Sequence, residues 1–128
     1  MNYDYSAERG VLYAVMVCAL ASPAYAQEST ERYIPIGASP GISHELSYIG
    51  RIVAVDTGNR TITVEQNGRD RHTLSITDGT QIWLDRSGQG RTNLVGRYAD
   101  CEVGRRAEVM HERHDPRIAA WIKLAVGQ

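Results

Sequence analysis

The stretch IGRIVAVDTGNRTITVEQNGRDRHTLSIT, residues 49–77, decides the fold. Ile62 and Val64 alternate with Thr61, Thr63 and Glu65, and Leu74 and Ile76 alternate with Thr73, Ser75 and Thr77. A strand sends successive side chains to opposite faces, so each segment carries one apolar and one polar face. Ile52, Val53, Ala54 and Val55 are apolar on both faces, which suits a long, coiled first strand covered on both sides. Asp56-Thr57-Gly58-Asn59 and Asn67-Gly68 separate the three segments, and Asn-Gly supplies the positive φ angles of a tight hairpin. The stretch reads as a three-stranded antiparallel meander, the start of a small closed barrel.

Toward the C-terminus the same alternation continues. Asp78-Gly79-Thr80 is a turn, and residues 81–85 form a short strand with Ile82 and Leu84 opposite Trp83. RSGQGR, residues 86–91, is a polar loop, and residues 92–100 hold a helical turn with Leu94, Val95 and Tyr98 facing inward. A strand over residues 106–112 sets Ala107, Val109 and His111 against Glu108, Met110 and Glu112. After the Asp115-Pro116 turn, residues 118–126 put Ile118, Ala120, Ile122, Leu124 and Val126 on the core face. Trp121 and Lys123 are expected to face out.

Toward the N-terminus, QESTERYIPIGASPGISHE, residues 27–45, has no sustained period and is broken by Pro and Gly. It reads as an extended arm whose Tyr33, Ile34 and Ile36 lie across the barrel. Before it, the apolar run 11–21 is shorter than the roughly 20 residues a bilayer span needs, and Ala24-Tyr25-Ala26 is a small-x-small cleavage site. Residues 1–26 therefore read as a signal peptide, which places the mature protein in the periplasm or outside the cell with no membrane span after cleavage. The leader takes Arg9, Asp4 and Glu8 from 14 basic and 15 acidic residues, so the remainder is balanced in charge. Such a balance gives no electrostatic drive toward nucleic acid. Cys101 is the one cysteine beyond the leader, so no internal disulfide staples the fold.

The order of these features resembles a family of small exported bacterial proteins with an OB-like barrel and no assigned function. The resemblance rests on G-x-V-x-x-V-D at Gly50 to Asp56, T-I-T-V at Thr61 to Val64 and T-D-x-T-x-I at Thr77 to Ile82. It extends through Leu94, Gly104 and Val109 to Ala120 and Lys123. It implies an all-β chain, with residues 46–128 forming an OB-like antiparallel barrel of five to six strands behind the arm. These are strand and turn residues, so the resemblance implies a fold and lends no mechanism.

Four kinds of site come into question. His111-Glu112-Arg113-His114-Asp115 gathers imidazoles and carboxylates at a hairpin end, with His72 expected on the face of His111, a set able to hold copper or zinc. The spacing misses the helical H-E-x-x-H, and the plainer reading is a solvated hairpin tip. Periplasmic copper carriers resemble this barrel in topology, but they pair two methionines where this chain has Met110 alone beyond its leader. Residues 37–41, GASPG, match the G-x-S-x-G nucleophile elbow, yet the oxyanion donor following Ser39 would be Pro40, which has no N–H. Nucleic-acid binding through an OB face needs stacking aromatics on the second and third strands, which carry Thr61, Thr63, Glu65, Arg71, Thr73 and Ser75 instead. Trp83, Trp121 and Tyr98 are the candidate partner-binding residues, as exposed aromatics favour contacts, and the plainer reading packs them under the arm or the 86–91 loop. The function expected is a non-enzymatic binding or accessory module without a cofactor, contacting a protein or envelope component. Periplasmic copper or zinc binding through His72, His111 and His114 is the alternative.

Overall fold

A computed structural model of the protein describes residues 30–127, so the expected leader at 1–26 lies outside the described residues. The meander forms as the alternation requires. Strands β1 (Ser47–Asp56), β2 (Thr61–Gln66) and β3 (Asp70–Ser75) pair antiparallel, with Ile62 opposite Leu74 and Val64 opposite His72. Asn67 and Gly68 take φ of 55° and 66° at the centre of a turn closed by the Arg69 N–H on the Gln66 carbonyl at 3.1 Å, within a three-residue connection. Strand β1 is irregular between Ile52 and Ala54, which lets one strand serve two partners. Its second half pairs with β2 and its first half with β6 (Arg106–His111). At Gly50 the strands approach so closely that a Cβ would lie 1.9 Å from the Glu65 carbonyl oxygen.

Among the described residues the sheet has seven strands in the order β3-β2-β1-β6-β7-β4-β5, with β4 at Gln81–Asp85, β5 at Leu94–Val95 and β7 at Ala119–Ala125. It is mixed rather than antiparallel, because β4 runs parallel to β7 with Ile82 opposite Ile122. This corrects the expectation of a closed barrel of five to six strands. β4 occupies the flank of β7 that closure onto β3 would use. What remains of that closure is a single parallel bridge, Ser75 to Ile118, where the Ser75 N–H donates to the Arg117 carbonyl at 2.7 Å. Leu94 and Val95 also depart from expectation: they add to β4 as a short strand and stand 42% and 66% exposed. Within residues 92–100, helical geometry begins only at the 3-10 turn Tyr98–Asp100.

The sheet curls around one apolar cluster that draws Ile52, Ile62, Leu74, Ile82, Val109, Ile122 and Leu124 from six strands. Burying each such side chain is worth about 1.5–3 kcal/mol. The opposite face of β6, β7 and β4 is covered as well. The expected extended arm is instead compact: Ile34 N–H donates to the Glu31 carbonyl at 3.1 Å and Ala38 N–H to that of Pro35 at 3.0 Å. Gly37, at φ 87°, supplies the positive φ of the second turn, and helix α1 (Gly41–Glu45) follows. No helix among the described residues is long and apolar enough to cross a membrane.

Candidate functional site

The arm docks on the sheet through polar groups. On the outer face of β7, Lys123 Nζ donates to Glu31 Oε2 at 3.0 Å and to Ser39 Oγ at 2.9 Å, while Ser39 Oγ donates to Glu31 Oε2 at 2.7 Å. The ammonium also lies 4.5 Å from the centre of the Trp121 ring. Beside it, Asp85 Oδ2 accepts the Ile36 N–H and Glu108 Oε1 accepts the Gly37 N–H, each at 2.9 Å. Burial pushes the Glu31 carboxyl upward, but the Ser39, Lys123 and Ser43 contacts outweigh it and leave the group below its usual value. Asp85 likewise ends below its usual value, burial being offset by Ser87 and the Ile36 N–H. Glu108 Oε2 is buried with no hydrogen-bond partner among the described residues.

A serine within reach of a lysine is the geometry of an activated nucleophile, but the partners here oppose that use. A general base needs a free lone pair, whereas this lysine donates to a carboxylate. Ser39 and Lys123 are both buried, so no substrate reaches them. The cluster works as the fastening of the arm. Glu31, Asp85, Glu108 and Lys123 escaped the sequence reading because charged residues alternating with apolar ones mimic a solvated face. The available signal was the density of bulky residues around Lys123, with Trp121 and Ile122 before it and Leu124 after it.

The histidines separate into two groups. His72 stacks on Tyr48 at 3.7 Å between ring centres, and His111 lies tilted at 5.6 Å from the same ring. His114 sits exposed in the β6–β7 connection. His111 Nδ1 is 2.6 Å from the Glu112 carbonyl oxygen, and His72 Nε2 is buried without a partner among the described residues. No group of three or more His, Cys, Asp or Glu side chains able to hold a metal ion occurs among the described residues.

The aromatic residues are divided in the same way. Trp83 and Trp121 lie on the outer face of β4 and β7, 3% and 4% exposed, with ring centres 5.8 Å apart. Lys123 and Asp85 share that face, so the aromatic pair belongs to the layer the arm covers. Tyr98 is half-buried; its hydroxyl reaches the carbonyls of Asp56 and Thr61 at 3.0 and 3.1 Å, and the Arg60 guanidinium lies 5.4 Å from its ring centre. Tyr98 forms one wall of a groove of about 440 Å³. Ile82, Trp83 and Val95 line it with Tyr98, and Arg60, Arg97 and Asp78 bring two guanidiniums and one carboxylate to it. Arg60 meets Asp78 at 3.5 Å, a long contact to a fully exposed carboxylate; Arg97 makes no ion pair among the described residues. The groove can therefore hold an anionic group beside apolar surface. No family model matches this sequence, and no curated protein and no solved structure matches it either.

Proposed function

We propose that the protein is an exported, non-enzymatic module of OB-like descent that contacts a protein or envelope component through the groove beside β5. The observation carrying this reading is the contrast between the two polar regions. The one with nucleophile chemistry is sealed and paired, whereas the groove opens to solvent with guanidiniums above apolar surface. The OB-like descent draws support from β1 pairing with both β2 and β6, and from the parallel Ser75 to Ile118 bridge that echoes a barrel closure. A photo-cross-linking residue placed at Val95 in the protein expressed by its own cells should yield a discrete adduct. The same residue at Arg69, in the exposed β2–β3 turn, should not. Equal adducts at both positions, or none at Val95, would refute the reading.

Copper or zinc binding is a second reading, favoured by His72 and His111 converging on Tyr48 while His72 Nε2 has no partner. Native mass spectrometry with Cu(I), Cu(II) and Zn(II) should then show a one-to-one adduct that His111→Ala removes. Unaltered mass with all three ions would end it.

A further inference from the structure

We propose that the groove receives an extended acidic peptide, which adds to β5 as a further strand and sets its carboxylates on Arg97 and Arg60. This rests on the binding-module reading and names the partner's chemistry. The first support is the backbone of β5. Gly96 N–H donates to the Ile82 carbonyl at 2.8 Å, and Trp83 stands opposite Val95 in the register. In an antiparallel pair the hydrogen-bonding residues alternate, so the Val95 N–H and C=O point away from β4. β5 ends the sheet, and no strand among the described residues flanks it on that side. An open edge of this kind is the template for strand addition.

The second support is charge. Val95, Gly96 and Arg97 lead directly from this edge along the groove wall. Arg97 is exposed and outside any ion pair among the described residues, and Arg60, over the Tyr98 ring, makes its one ion pair there with Asp78 at 3.5 Å, which leaves the groove one guanidinium in excess of its carboxylate. A strand alternating apolar and acidic residues would lay an apolar side chain over Gly96 toward Ile82 and carry its carboxylates on the other face, toward the guanidiniums. Arginine suits this role because its planar fork matches a carboxylate. The third support is access: the groove is open to solvent rather than enclosed, so a chain segment can lie in it.

The test uses the whole mature chain and the peptide acetyl-Glu-Val-Glu-Val-Glu-amide, followed by amide NMR. The expected result is saturable movement of the Val95, Gly96 and Arg97 amides. Affinity should fall up to about fivefold for Arg97→Ala and again for Arg60→Ala, as for exposed ion pairs, and Arg69→Ala should leave it unchanged. Raising salt from about 50 mM to about 500 mM should weaken binding, because exposed charges are screened. Val95→Pro removes the outward N–H without touching a β4 hydrogen bond, and should abolish the response while the spectrum stays folded. Equal binding of the Gln-Val-Gln-Val-Gln analogue would overturn the proposal. So would an Arg69→Ala loss as large as that of Arg97→Ala, or an unaffected Val95→Pro variant. Tighter binding of an acidic oligosaccharide at the same amides would assign the groove to glycans instead. If the peptide fails while the Val95 cross-link persists, the ligand class falls and the binding module stands.

Discussion

Lys123 is fully buried, and its charge is tolerable there because Glu31 and Ser39 meet the ammonium at 3.0 and 2.9 Å. Removing one member of a buried pair leaves the other uncompensated, a loss of about 3–5 kcal/mol. Lys123→Met should therefore lower unfolding stability by about 3 kcal/mol in urea titration, the low end, because Glu31 can escape to water if its arm lifts. The double variant Lys123→Met with Glu31→Leu should recover part of that loss, since it leaves no orphan charge. Equal losses in the single and double variants would show that the pair contributes only through packing. Cys101 offers a second check at this scale. Burial, with Asp100 adding to it, pushes its thiol up to about 11. The thiolate is the reactive form, so iodoacetamide at neutral pH should label the folded protein far more slowly than the protein in urea. Comparable rates would place Cys101 at the surface. Gly50 is the position of least tolerance: Gly50→Ala drives a Cβ into the Glu65 carbonyl and should cost about 3 kcal/mol by overpacking.

At the scale of elements, the arm is the part held by charge. Glu31 and Asp85 both have carboxyls held below their usual values in the folded protein. Their ionised forms are thus favoured by folding, and their contribution is complete above the unfolded value of about 4. It is lost as pH falls through the lower folded values, because protonation then favours the undocked arm. Trypsin cleavage after Arg32 should stay slow from neutral pH down to about 5, whereas tryptophan emission should shift red below about 4 as Trp83 and Trp121 gain water. Emission constant down to pH 2, about the limit of carboxylate titration, would mean that apolar contacts alone hold the arm. The arm also marks where sequence reading stopped. β2 and β3 were legible because one face meets solvent and the other the core, so Thr61, Thr63 and Thr73 alternate with Ile62, Val64 and Leu74. β6 and β7 show the same alternation with Glu108 and Lys123 in the polar places, yet both faces are covered. A buried ion pair and a solvated charge leave the same letter in a strand, and only the partner contributed from residues 31–39 separates them. The candidate groove was less legible still, since Arg60, Arg97 and Val95 come from distant segments and form no local motif.

At the scale of the whole molecule, the sheet joins two halves through β1, which gives its second half to β2 and its first to β6. The meander half was readable from its turns, whereas the order beyond β6 was not. Parallel pairing of β4 with β7 is a long-range choice that no turn sequence encodes, and β5 is two residues long, too short for any period to show. That arrangement makes a definite statement about where the fold opens first. β7 has strand neighbours on both sides and its side chains are covered on both faces, so its hydrogen bonds break only with the core. β5 has one neighbour, exposed side chains and an outward N–H, so its opening disturbs little else. Amide hydrogen exchange should therefore place Ile122, Lys123 and Leu124 at the protection of global unfolding, and Val95 near the rate of an unfolded peptide. The meander's free edge, β3, should fall between them because its inward Leu74 remains in the core. Protection of Val95 comparable to that of β7 would require something paired against the β5 edge in solution. A rise of that protection with protein concentration would identify it as a second copy of the chain, whereas constant protection would mean that the sheet closes further than the strand order β3-β2-β1-β6-β7-β4-β5 allows.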